Sequence, residues 1–299
     1  MKPIRTSDPY RSPALYRRSP RRSLSAFLSC SLLLLLSLCS LSILALYAMI
    51  PVKTTVLFLG IDYAPRKSFA GRSDTIVLLH FNTLRPYVGF LSIPRDLWVT
   101  IPGYGENRIN TAHFFAESQQ KGSGPFATIR TIEANFGIRP DYYLRIRFDG
   151  VKEIVNAMGG VTIRLEKPMA GYPPGTHHLT GEKALGFARR RQGADDFFRM
   201  EQGQVLIKSI LFDLIKPSNW YKIPLVVTTA SKVIDTNLPF WQYPRLALLV
   251  LRVGVENIDS RLIDRSMTLP YTTDQGASVL LPRWELIRPL IAEIFNSIE

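Results

Sequence analysis

Beyond residue 50 the chain alternates short apolar runs with turn residues. "TVLFLG" (Thr55–Gly60), "DTIVLLHF" (Asp74–Phe81) and "VGFLSI" (Val88–Ile93) are apolar runs of strand length, closed by Gly, Asn and Pro, and read as buried strands. "NTLRPY" (Asn82–Tyr87) is a turn, and Pro94 ends the third strand because it cannot donate to a ladder. Runs so close in sequence are expected to pair as neighbours. "YYLRIRF" (Tyr142–Phe148) alternates strictly, with Leu144, Ile146 and Phe148 on one side and Tyr143, Arg145 and Arg147 on the other. "VTIRL" (Val161–Leu165) is a further strand, and "PMAGYPPGTHHL" after it reads as a loop.

Helical spacing appears between these runs. Phe126, Ile129, Ile132 and Phe136 share one face of a helix that Gly137 is positioned to cap. "DGVKEIVNAMGGV" reads as a helix capped by Asp149 and stopped by Gly159-Gly160. Thr180 caps a helix running to about Arg190, Arg199 to Ile215 forms another, and "WELIRPLIAEIF" (Trp284–Phe295) is a closing amphipathic helix. Strands and helices mixed throughout predict an α/β class.

The first 50 residues follow another pattern. Lys2, Arg5, Arg11, Arg17, Arg18, Arg21 and Arg22 stand against Asp8 in a Ser- and Pro-rich segment, expected to be disordered over residues 1–24. Ser25 to Ile50 then carries no charge. Roughly 20 apolar residues cross a bilayer, and a signal-peptide core has only about 7–15, so an uncleaved anchor is expected over 25–50. The basic flank stays cytoplasmic, and residues 51–299 form an extracytoplasmic domain at the cell membrane. Both cysteines, Cys30 and Cys39, fall inside the span and read as apolar filler.

Charge sharpens the picture. The net charge is +13, and most basic residues beyond residue 50 are arginines, whose planar fork grips phosphate in two places. If the first two strands run antiparallel, Asp62 and Asp74 share one end of the sheet. The third strand returns to that end with Arg95 and Asp96, beside Arg72. A second cluster, "ARRRQGADDFFRMEQGQ" (Ala188–Gln204), holds Arg189, Arg190, Arg191 and Arg199 across a helix end and a helix start. Guanidinium groups this dense repel one another unless anions sit among them. A pyrophosphate with a divalent cation satisfies both clusters: carboxylates hold the cation, and arginines hold the phosphate oxygens.

The same residues carry a family resemblance. "LGID…GRSDTIVLLHFN…VGFLSIPRDLWVTIPGYGENRINTAH", followed in order by "VNAMGGV", "LTGEKALGFARRR" and "DDFFRMEQGQ", resembles the LytR-CpsA-Psr family, with the core motifs over residues 52–215. The resemblance implies an α/β/α sandwich with a central mixed sheet and an apolar pocket for a lipid chain, preceded by one transmembrane helix. It implies a phosphotransferase that moves a glycopolymer from a polyprenyl-pyrophosphate carrier onto peptidoglycan with the help of Mg2+ or Mn2+. By this resemblance Asp62 and Asp74 match metal-binding aspartates, with Asp74 a conceivable base. Arg72, Arg95, Arg189, Arg191 and Arg199 match pyrophosphate-binding arginines, and Asp96 and Arg108 match supporting positions. Two departures stand out. Gly203 lacks the amide the family carries there, which leaves Gln202 or Gln204 to supply it, and Asn156 replaces a usual Asp.

Other chemistry is thinly represented. His80, His113, His177 and His178 have no metal-ligand spacing, with His177-His178 expected to be solvated in a loop, and no Walker A, GxGxxG or G-x-S-x-G occurs. The stretches around Phe126–Phe136 and Leu246–Leu251 read as core. Two alternative functions remain: a lipid-pyrophosphate binder or pyrophosphatase that transfers nothing, and a cell-envelope-related transcriptional attenuator. The second conflicts with an outer domain separated from nucleic acid by a membrane.

Overall fold

The structure is a computed structural model and describes residues 22–48, 52–62, 68–190 and 196–296, with side chains over 28–43 of the first stretch. The tail up to residue 21, and Arg191, lie outside the described residues. The chain divides into two compact units between Pro51 and Val52. The first contains one helix, α1 (Arg22–Ala48), whose described leucines are exposed. Among the described residues no helix is long and apolar enough to cross a membrane, and the span expected over 25–50 runs beyond the stretch whose side chains are described.

The second unit opens with β1 (Lys53–Asp62), β2 (Arg72–Asn82), β3 (Tyr87–Ile93), β4 (Trp98–Ile101) and β5 (Gly105–Arg108). Helices α2 (Thr111–Gln119) and α3 (Gly124–Phe136) lead to β6 (Tyr142–Arg147), α4 (Phe148–Ala157), β7 (Val161–Leu165) and β8 (Gly175–Leu179). Then come α5 (Gly181–Arg189), α6 (Asp196–Ile215), a 3-10 turn (Pro217–Lys222), α7 (Ile223–Val233), β9 (Ile234–Thr236) and α8 (Gln242–Val253). The chain closes with β10 (Asp259–Leu262), β11 (Thr268–Thr272), β12 (Ser278–Pro282) and α9 (Trp284–Ile291).

A mixed six-stranded sheet in the order β10-β3-β2-β1-β6-β9 forms the centre. The three apolar runs pair antiparallel as expected, while β6 joins β1 and β10 joins β3 in parallel. Helices cover both faces, which is why the central strands are apolar on both sides. On one face Leu57, Leu59, Leu78 and Leu91 pack with Ile129, Ile132 and Phe136 of α3 and Ile287 of α9. On the other, Val56, Val77 and Phe90 pack with Leu246, Leu249 and Val250 of α8. Gly137 caps α3 at φ 71°, a left-handed conformation that suits a residue without Cβ.

Three expectations change. Asp149 lies in the first turn of α4 and not at its cap, because Arg147 holds the extended cap position. The "PMAGYPPGTHHL" segment is only partly loop: its end forms β8, antiparallel to β7. His177 and His178 therefore sit on a strand, bonded through Nε2 to the carbonyls of Pro173 and Gly159. Backbone pairing to β7 builds that hairpin with little side-chain burial, so no apolar pattern announced it.

Candidate functional site

Asp62 stands opposite Arg72 in the β1–β2 ladder, so the end of the first strand and the start of the second share one sheet edge. β3 returns to that edge and delivers Arg95 and Asp96 just beyond Pro94. The ladder shifts there: Gly60 pairs with Thr75 and Ile61 with Ser73, leaving Asp74 as the extra residue of a bulge. Bulges re-aim side chains at sheet edges, and here Asp74 Oδ2 accepts from Arg95 Nη1 at 3.0 Å. Gly60 permits the tight fit, since a Cβ there would stand 2.9 Å from both Phe148 and Thr75.

Arg95 is the hub. Its Nε donates to Asp196 Oδ2 at 3.0 Å and to Asp96 Oδ2 at 3.3 Å. The other oxygen of Asp96 lies 3.4 Å from Arg108 Nε, and Arg108 Nη2 donates to the Ser278 carbonyl at 2.6 Å. Asp196 opens α6, and Arg199, one turn on, lies 3.6 Å from it. Arg189 ends α5, forms an ion pair with Asp62 and lies 5.0 Å over the Phe148 ring. All of these, with Arg72, line one cavity of about 710 Å3. Asp62, Arg72, Asp74, Arg95, Asp96, Arg108, Arg189 and Arg199 are thus brought together; Arg190 is turned away, its guanidinium packed against Gly171.

Electrostatics follow from this crowding. Burial pushes Asp96 up to about 6, helped by its hydrogen bond with Asp196. Burial also acts upward on Asp196, but the hydrogen bond from Asp96 and the charges of Arg95 and Arg199 hold it below the usual range. The pair shares one proton in mildly acid solution. For Arg95, burial acts downward and is outweighed by Asp74, Asp196 and Asp96, which hold the guanidinium above its ordinary value. Losing the shared proton adds a negative charge beside Arg95 and Arg108, so oxyanions should bind less well as pH rises through about 6. With sulfate, an oxyanion that does not titrate in this range, calorimetry is expected to show a roughly tenfold loss of affinity. Asp96→Asn should flatten that step.

Two expectations about amides need correction. Gln204 is not on the cavity wall: its Nε2 donates to Ser92 Oγ and to the Arg261 carbonyl, binding α6 to the sheet. Gln202 is fully buried and donates to the Arg190 carbonyl. Gly203 itself lines the cavity, with nothing within 4 Å of where its Cβ would be, so the position is open space facing the site. Asn156 is structural, its Oδ1 accepting from the first N–H of α5 at Gly181. Sequence reasoning missed Asp196, although an acid one helical turn before Arg199 was a usable signal. It also missed Asn110, a cavity residue visible only once the chain is folded.

Among the described residues no group of three His, Cys, Asp or Glu gathers to hold a metal. The donors nevertheless suit a hard divalent cation, which takes oxygen ligands and commonly needs one or two carboxylates plus phosphate oxygens. Asp62 and Asp74 line the cavity, and Asn110 Oδ1 on the same wall is buried without a hydrogen-bond partner. Asn110 adjoins Asp74 through its carbonyl, which accepts from the Ser73 N–H at 3.4 Å.

A family model described as the LytR_cpsA_psr family matches residues 51–283. Over 195 residues the chain is 29% identical to the regulatory protein MsrR of Staphylococcus aureus, a match covering 62% of this chain and 57% of that protein. It is also 29% identical over 200 residues to the polyisoprenyl-teichoic acid–peptidoglycan teichoic acid transferase TagV of Bacillus subtilis, covering 62% and 49% respectively. The chain thus spans about half the length of these curated relatives. The crystal structure of B. subtilis TagV superposes with a TM-score of 0.67 at 26% identity, covering 84% of this chain and 100% of that one.

Proposed function

We propose, from the premise that the chain belongs to the LytR_cpsA_psr family, that it is a membrane-anchored phosphotransferase. It would move a glycopolymer from a polyprenyl-pyrophosphate carrier to peptidoglycan, the kind of reaction that the name of TagV describes for that protein. The observation that carries this reading is the Arg95 hub: one guanidinium held by three carboxylates, with Arg72, Arg108, Arg189 and Arg199 on the same cavity wall. Such an array suits a doubly phosphorylated group, whose charge it neutralises in a site that is partly shielded from water.

The geometry supports a division of labour. Arg95, Arg189 and Arg199 would grip the pyrophosphate oxygens, and Asp96, Asp196 and Asp74 would hold Arg95 in one orientation. Asp62 and Asp74, with the Asn110 oxygen, would hold Mg2+ or Mn2+. A bound cation would neutralise charge on the phosphate oxygens. The acceptor hydroxyl would attack the sugar-side phosphorus as polyprenyl phosphate leaves, a step that depends mainly on placement and charge stabilisation. The uncharged stretch Ser25–Ile50 supports the anchor, with residues 51–299 outside the cytoplasm.

The test is transfer from a polyprenyl-pyrophosphate glycan, assayed with and without a peptidoglycan acceptor. Acceptor-dependent product supports a transferase, and polyprenyl phosphate formed with free glycan phosphate and no acceptor-linked product would instead support a pyrophosphatase. In the same assay Asp74→Asn is expected to raise the magnesium concentration for half-maximal rate by at least about tenfold, since even losing a partner of a metal ligand costs about 10–100-fold in affinity. An unchanged titration would remove Asp74 as a ligand.

A further inference from the structure

The cavity occupies one end of the sheet; the other end carries unusual chemistry. The chain enters the folded unit there, where the Val52 carbonyl accepts from the N–H and Oγ1 of Thr83 in the β2–β3 turn. That turn presents Leu84 at 75% exposure. α6 starts at the cavity with Asp196 and, over 20 residues, runs about 30 Å toward the far end. Its following 3-10 turn carries Trp220 and Tyr221, 52% and 77% exposed. β9 runs antiparallel to β6, and so also delivers the chain to this end, where Phe240, Trp241 and Tyr243 are exposed at 76%, 58% and 45%. Arg245, one turn into α8, ties that segment to the entry point: its guanidinium donates to Thr83 Oγ1 at 3.0 Å and to Thr54 Oγ1 at 3.5 Å.

Three separate segments therefore expose large apolar and aromatic side chains at the end through which the chain enters. Basic residues here include Lys53 and Arg85, both exposed, and Lys222, which follows Tyr221 and donates to the Met158 carbonyl; among the acids, Asp259 is paired with Arg261 and Glu256 is exposed. Asp141, an acid at this end, is engaged with the Thr55 N–H at 2.8 Å. Exposed Trp and Tyr beside Lys and Arg match a membrane interface, where amphipathic rings sit at the headgroups and cations meet anionic lipid.

We infer that Leu84, Trp220, Tyr221, Phe240, Trp241 and Tyr243 form a docking face that seats the outer domain on the surface of an anionic bilayer. The inference rests on the anchor proposed above: an uncharged stretch ending at Ile50 leaves only a short link before Lys53, so this end of the domain is kept beside the lipid.

The chain has 4 tryptophans and none lies in the anchor, so tryptophan fluorescence reads the outer domain alone. The full chain is reconstituted into vesicles of phosphatidylglycerol and phosphatidylcholine brominated along its acyl chains. One variant, Trp98→Phe/Trp284→Phe, retains Trp220 and Trp241; the other, Trp220→Phe/Trp241→Phe, retains the remaining pair. The expected result is quenching at least about threefold stronger for the first variant, with circular dichroism showing both folded. Vesicles that float with the protein but leave the Trp220/Trp241 pair unquenched would overturn the docking face while sparing the anchor. Protein that fails to float with vesicles would overturn the anchor and the inference together. Trp220 and Trp241 shielded within a cross-linked dimer would assign the face to a second copy and overturn it as well.

Discussion

Replacing Arg95 with alanine is expected to lower the rate of glycopolymer transfer by about 10²–10³-fold, the usual cost of removing one preorganised group that stabilises developing charge. The argument starts from its partners. Arg95 contacts Asp74, Asp96 and Asp196, which reach it from a β-bulge, its own loop and the first turn of α6. Removing the guanidinium takes one cation from the cavity and leaves three carboxylates facing one another, so the site becomes more repulsive to phosphate. Arg95→Lys keeps the charge and loses the fork, and should recover only part of the rate because a single ammonium cannot hold three carboxylates in place. Both variants should keep the far-UV circular dichroism of the parent, since the hub is at the sheet edge and outside the apolar clusters. Full activity in a folded Arg95→Ala protein would exclude Arg95 from the site.

The largest effect on stability is expected away from the cavity. Arg145 on β6 is buried with Glu117 of α2, Nη1 to Oε2 at 2.8 Å, and its Nε donates to Asp235 at 2.7 Å. Burial pushes the Glu117 carboxyl up, yet hydrogen bonds from Arg145 and from the N–H groups of Gly122 and Gly124 hold it below the usual range. Burial also drives His113 down to about 4, so its ring is neutral: Nδ1–H donates to the Gly71 carbonyl and Nε2 accepts from Arg145. Arg145→Ala strands a buried carboxylate and should cost about 3–5 kcal/mol of unfolding free energy in urea titrations. Arg145→Met with Glu117→Gln removes both charges and should recover much of that loss. The network also sets a pH dependence. His113 titrates lower folded than unfolded, so its contribution is present above about 6.5 and is lost as pH falls toward about 4.

Comparing the two sites explains what could be read early. Asp62, Arg72 and Arg95 were legible because strand direction follows from short connections: three apolar runs joined by links too short for a parallel crossover must alternate in direction, and their charged ends must meet. The α3 cap at Gly137 was legible for a local reason, the left-handed residue that ends a helix. The role of Arg145 was not. Strict alternation separated Tyr143, Arg145 and Arg147 from Leu144 and Ile146, but alternation does not say what covers a face. Here α2 covers it and brings Glu117 and His113.

By itself, then, the sequence determined the α/β class, the convergence of acids and arginines at one sheet edge and the uncharged stretch before the folded unit. Each of these depends on contacts close in sequence or on composition. The bulge that turns Asp74 onto Arg95, the diversion of Gln204 to Ser92, the shared proton of Asp96 and Asp196 and the aromatic face opposite the cavity were decided only by tertiary structure. Each depends on which distant segment fills the space around a side chain, and that is a property of packing in three dimensions that no local pattern encodes.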